Sequence, residues 1–186
     1  MKEQLLFSKQ STLQPQHVNY FVLYLILVFI SLACSATCAT GWTTIGCNCY
    51  KFQDVAKTWD DATADCTALG TAEGKTGRLV SITSADLEVE LLKMSSNEEF
   101  WTGGNDKTSD KTFVWDLDGT TFFDDDTTTG YNNWWSTATV SQPNHVAGQD
   151  CVKFKVKLNS GVIEKTGWDD VSCDNQKKFV CQYDIA

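Results

Sequence analysis

One stretch of this chain is where chemistry is to be sought. Between Asp118 and Asp150 periodic hydrophobic residues become scarce and Asp, Asn, Thr and Gly take over. A segment of that length without regular structure is unusual in a compact domain and is normally functional. Nucleophilic catalysis has little to draw on: beyond the first 36 residues His145 is the only imidazole, so a Ser–His or Cys–His system has one candidate base. Aspartates are numerous, yet no spacing among them marks a carboxylate pair for glycoside cleavage. Asp116, Asp118 and the run Asp124-Asp125-Asp126 read as a solvated loop face. Arg78 is the only arginine, and 15 basic residues face 24 acidic ones for a net charge of −9. Nucleic acid recognition favours a basic face with arginine forks, so no nucleic acid partner is expected.

The elements that must hold this stretch can be read around it. Residues Phe21 to Ala33 form an uncharged apolar run of 13 residues, preceded by Lys2 and Lys9 and followed by small residues. A spanning helix needs about 20 apolar residues, so residues 1–36 read as a secretory leader cleaved after Ala33 or Ala36. A signal anchor using residues 20–34 is the alternative, and it would leave no stalk before the next structured residues. Eight Cys with seven Trp fit an oxidising compartment and a disulfide framework. The 186 residues carry no Asn-X-Ser/Thr acceptor and no repeat.

Thr43 to Phe52 reads as a strand or hairpin. Lys57 to Leu69 is a predicted helix, capped by Thr58 with Asp61 and closed by Gly70 at C′; Trp59, Ala62, Cys66 and Leu69 share its inner face. Leu79 to Ile82 is a short buried strand. A second helix follows, capped by Thr83 and Asp86, with Leu87, Leu91 and Met94 inward. Phe113 to Trp115 leads into an Asp118-Gly119 turn. Cys151 to Lys157 alternates, placing Val152, Phe154 and Val156 inward and Lys153, Lys155 and Lys157 toward solvent. Phe179 to Cys181 closes the chain. Helices early and strands late make the class α+β.

In order and spacing, these motifs resemble the long form of the C-type lectin domain over residues 38–183. The resemblance rests on Cys38…Trp42 with Cys49-Tyr50-Lys51-Phe52, on Trp59, Ala62 and Cys66, and on Leu79 to Ile82 with Ser84 and Glu88. It continues through Phe100-Trp101-Thr102-Gly103-Gly104, Gln142-Pro143-Asn144, Asp150-Cys151, and Trp168-Asp169-Asp170 with Ser172-Cys173. The implied fold is two helices packed on antiparallel sheets with a long calcium and ligand loop. The implied disulfides are Cys38–Cys49, Cys66–Cys181 and Cys151–Cys173. Cys47 then remains, either for Cys34 or for a second chain in a disulfide-linked dimer. With the other cysteines so paired, zinc has no ligands left.

Calcium takes six to eight oxygens from carboxylates, amides and water. The family's principal site falls on Gln142, Asn144, Gln149, Asp169 and Asp170, with a cis peptide expected before Pro143. The mannose-type pattern has Glu at positions 142 and 149 and Asn at 169, so one formal charge is lost here. Gln142 and Asp169 lean toward galactose-type ligands and Asn144 toward mannose-type. An auxiliary calcium site falls on Asp106, Asp110 and Asp150, with His145 replacing an aspartate. Trp134 and Trp168 are expected in the core beneath the loop; stacking of Trp135 on a sugar is a less favoured reading. The implied function is a secreted lectin that binds a glycan through calcium. A calcium-free module binding a protein or other non-sugar ligand is the alternative.

Overall fold

The computed structural model describes residues 34, 36–125 and 130–185. The apolar run Phe21 to Ala33 and Asp126 of the acidic run lie outside those residues. Among the described residues no helix is long and apolar enough to cross a membrane. The strands are β1 (Thr43–Ile45), β2 (Asn48–Lys57), β3 (Arg78–Leu79), β4 (Phe100–Asn105), β5 (Thr112–Trp115), β6 (Thr121–Asp124), β7 (Cys151–Asn159), β8 (Val162–Val171) and β9 (Lys177–Asp184). Helix α1 (Trp59–Ala72) follows β2, and α2 (Ala85–Met94) follows β3. The class is α+β.

The central path runs β1-β2-β9-β4-β5-β6, with β3 on β9 and the β7–β8 hairpin on β4. Every pairing is antiparallel except β4 with β9, which meet in parallel at Trp101 and Phe179. Ser160 and Gly161 link β7 to β8 with φ of 50° and 80°, the pair of positive values a two-residue type I′ hairpin turn requires. One core cluster gathers Phe100, Phe113, Phe122, Phe154 and Trp168 with Leu87 and Leu91 of α2. A second joins Trp59, Ala62 and Cys66 of α1 to Trp101, Phe179 and Cys181.

Helix α1 starts where its local signals put it: the Thr58 hydroxyl accepts from the Asp61 amide at 3.2 Å. It does not stop at Gly70. The helix runs on to Ala72 with Glu73 as its C-cap, and Gly70 serves packing. A Cβ there would lie 2.2 Å from the Gly77 nitrogen, and one on Gly77 would lie 2.0 Å from the Cys66 carbonyl oxygen. Helix and following segment touch backbone to backbone. Helix α2 is capped by Ser84, one residue later than the sequence indicates, its hydroxyl accepting from Leu87 at 3.2 Å.

Four disulfides tie the sheet and helices: Cys34–Cys47, Cys38–Cys49, Cys66–Cys181 and Cys151–Cys173. Cys47 is therefore taken within its own chain. No described cysteine is free, which overturns the expectation of a dimer linked through Cys47.

Candidate functional site

The stretch thought to be structureless from Asp118 onward contains β6, and the irregular loop proper runs from Gly130 to Asp150. Two backbone hydrogen bonds root its first arm on β8, Trp168 N to Asn133 O (2.7 Å) and Trp135 N to Trp168 O (2.8 Å), and a third, Gln142 N to Trp135 O (2.8 Å), ties the loop to itself. Buried Glu88 of α2 pins the same root. It accepts from Tyr131 Oη at 2.7 Å and from Asn133 Nδ2 at 2.6 Å. Burial pushes the Glu88 carboxyl above its ordinary range, and these two donors oppose the shift. Glu88 fits the family pattern at its position, but its hold on the loop follows from tertiary contact alone.

The Gln142–Pro143 peptide is cis. Beyond it the chain turns back over β8, where Asp170 receives it. The Asp170 carboxylate accepts from the Asn144 amide at 3.2 Å to each oxygen and from the His145 amide at 3.2 Å. Asp170 is 1% exposed. Burial raises its pKa, and the Asn144 and His145 amides pull it back. Asn144 Oδ1 accepts from Val146 N at 3.2 Å, and the Gln149 amide donates to Val146 O at 2.9 Å. Two buried carbonyl oxygens in this loop, Gln142 Oε1 and Gln149 Oε1, have no hydrogen-bond partner. Buried acceptors are normally satisfied, so these two suit a cation.

Asp169 is different. Its carboxylate lies against β7. Lys155 Nζ is 2.9 Å away and Lys153 Nζ 3.6 Å. Lys153 also pairs with Glu99 at 2.8 Å and is nearly buried. The lysine face of β7 is thus an ion-pair layer at its start, and only further along, at Lys157, does it reach solvent. Trp135 is buried, with Lys155 and Lys165 ammonium groups over its ring at 4.9 and 5.0 Å. Those cations cover the face that sugar stacking would need. Trp134 is partly buried against the core, its ring 4.8 Å from Phe113, and Trp168 is fully buried beneath the loop.

On the far side of the loop the ligand-bearing atoms of Asp106, Asp110 and His145 lie within 4.8 Å of one another. Asp150 lines the same cavity of about 350 Å³. Asp106 Oδ2 accepts from the Lys111 amide at 3.1 Å, while its Oδ1 is buried without a partner. Burial raises the Asp106 pKa, with the charges of Asp150 and Asp110 adding to the rise. His145 Nε2 meets Asp125 Oδ1 at 2.9 Å, a contact between residues 20 apart that no local pattern announces.

Residues 55–183 match the model of the lectin C-type domain, more than two thirds of the chain. The chain belongs to the C-type lectin domain family. Among curated relatives it is 28% identical over 174 residues to the alpha-N-acetylgalactosamine-specific lectin of Patiria pectinifera, covering 86% of this chain and 92% of that one. Among solved structures it shares its fold with the C-type lectin CEL-I of Cucumaria echinata (TM-score 0.63, 24% identity, 81% of this chain and 100% of that one). It also resembles a calcium-independent type II antifreeze protein (TM-score 0.61, 25% identity, 80% and 95%). The C-type lectin fold thus carries ligand loops of more than one kind, and the side chains of this loop must decide its use.

Proposed function

We propose that this domain is a calcium-dependent lectin, capturing a terminal sugar of a glycoconjugate without altering it. The observation that carries the reading is the pair of buried, unpartnered carbonyl oxygens of Gln142 and Gln149 in a loop that Asp170 ties down. Each such acceptor left unsatisfied costs about 1–3 kcal/mol, and a hard divalent ion relieves both. Gln142, Asn144, Gln149, Asp169 and Asp170 would hold it, and remaining positions fall to sugar hydroxyls. Bound calcium supplies a fixed positive charge on which vicinal hydroxyls rest. The chain's own amides and carboxylates then orient those hydroxyls by donating to and accepting from them. Asp106, Asp110 and Asp150, with His145, would hold a second calcium ion, supported by their clustering and by the unpartnered Asp106 Oδ1.

Gln142 and Asp169 favour galactose-type sugars, and the Patiria relative is named for alpha-N-acetylgalactosamine. On a glycan array the expected result is capture of galactose- and N-acetylgalactosamine-terminated glycans that EGTA abolishes. Binding indifferent to EGTA would refute the calcium reading; exclusive binding of mannose glycans would refute the sugar class.

One observation favours a second reading, a calcium-free binding module: Asp169 already faces two ammonium groups. On the lectin reading those lysines compete with calcium. Lys155→Ala is therefore expected to strengthen calcium binding on the order of tenfold, as removal of one positive charge near the ion implies. Calorimetric titration checks it, and unchanged or weaker affinity would count against Asp169 as a ligand.

The protein is proposed to be secreted, the leader ending at Ala33 so that Cys34 stays with its partner Cys47. The intact mass of the exported protein should begin at Cys34. A mass beginning at Thr37 would contradict it.

A further inference from the structure

A cavity of about 460 Å³ lies between β2, β9, the segment after β3, and the β5–β6 hairpin. None of Gln142, Asn144, Gln149, Asp169 or Asp170 lines it. Its volume is in the range of small-molecule sites, which combine an apolar wall with a few convergent polar groups. Here Trp115 and Phe122 form the wall, stacked 4.1 Å apart.

The polar floor is Arg78, Ser81 and Gln182, at 5%, 7% and 5% exposure. Arg78 Nη2 donates to Asp184 Oδ1 at 2.6 Å, and Nη1 to Thr76 O at 3.4 Å. Its Nε–H has no partner, although it is buried. Ser81 is in the same position. Its amide is taken by Gln182 Oε1 at 3.0 Å, but its hydroxyl has none. Gln182 is committed at its other end as well, donating to Asn48 Oδ1 at 3.2 Å. The Tyr50 phenol also lines the cavity; burial pushes its pKa up to about 12, so it stays an intact hydroxyl at neutral pH. On the buried floor two hydrogen-bonding groups are thus left without a partner: one obligate donor and one hydroxyl that can donate or accept.

The charge balance limits what that guest can be. Arg78 is matched by Asp184, and Asp118 stands at the rim. Two acids against one base give an anion no net attraction. A neutral hydroxyl accepts from Nε–H and exchanges a hydrogen bond with Ser81, while a ring or carbon skeleton rests on the aromatic wall. We propose that this cavity is a second, calcium-independent site for a neutral polyhydroxylated ligand, gripped by Arg78 Nε–H and Ser81 Oγ. It stands apart from the loop and does not rest on the calcium reading.

The test is a nuclear magnetic resonance titration of the folded, fully disulfide-bonded chain in EGTA. The probes are galactose, N-acetylgalactosamine, myo-inositol and N-acetylneuraminic acid. Saturable shifts of the Arg78 Nε–H and Ser81 amide signals with a neutral probe are expected. A response to the sugars alone identifies a saccharide as the source, and one to inositol alone a cyclic polyol. Ser81→Ala should weaken binding about fivefold, the worth of one hydrogen bond. Thr120→Trp, at the exposed rim, should block entry and leave the rest of the spectrum in place. Asp170→Ala should change neither result. No saturable shift with any neutral probe, shifts confined to residues 142–149, or preference for N-acetylneuraminic acid would overturn the proposal.

Discussion

Replacing Asp170 by alanine is expected to abolish calcium-dependent retention on a galactose column, with calcium affinity falling about 100-fold or more. Losing a single supporting group around a metal already costs on the order of 10–100-fold, and Asp170 is proposed as a direct ligand. It also holds the loop, since both its oxygens receive the Asn144 amide and one receives the His145 amide. Leaving those amides without an acceptor costs about 1–3 kcal/mol. That is less than the 5–15 kcal/mol by which domains are usually stable, so the variant should remain folded and oxidised. Calorimetry with calcium, beside circular dichroism and a count of free thiols, separates loss of the site from loss of the fold. Retention equal to that of the parent protein would remove Asp170 from the ligand set.

The second large effect concerns stability. Cys66 and Cys181 close a loop 115 residues long, tying α1 to β9. In the chain-entropy account a loop of that length is worth roughly 4–5 kcal/mol, against roughly 3 for one the size of Cys34–Cys47. The double variant Cys66→Ala/Cys181→Ala should therefore lose roughly 10–15 °C in melting temperature, taking about 2–4 °C per kcal/mol for a chain of this size. Cys34→Ala/Cys47→Ala should lose less. Thermal melts without reductant give the ranking, and the reverse order would show that α1 is held to β9 mainly by packing.

What could be read from the sequence divides along the range of the interactions involved. The Thr58 cap, the Asp118-Gly119 turn and the inward residues of β7 are written in neighbouring positions, and the structure has them. The Ser84 cap was misplaced by one residue because Thr83 offers the same hydroxyl chemistry. Gly70 was misread because its role depends on Gly77, which no helix-end rule consults. The lysines of β7 looked like a solvated face because Glu99 and Asp169 come from other strands. Trp135 was a candidate stacking surface only while Lys155 and Lys165 were out of view. At the loop, the order of amides and carboxylates was legible. That the Gln142 and Gln149 oxygens would be buried without partners was not, nor that His145 would face Asp125.

The bare contact between Gly70 and Gly77 has a consequence for how such a domain can change over generations. Neither position can gain even a methyl group unless the helix first moves outward, and Cys66, whose carbonyl borders the same gap, would move with it. Drift at either glycine therefore disturbs the crosslink to Cys181 as well. Two residues without side chains act as a single inherited constraint, one that a tally of side-chain interactions would overlook.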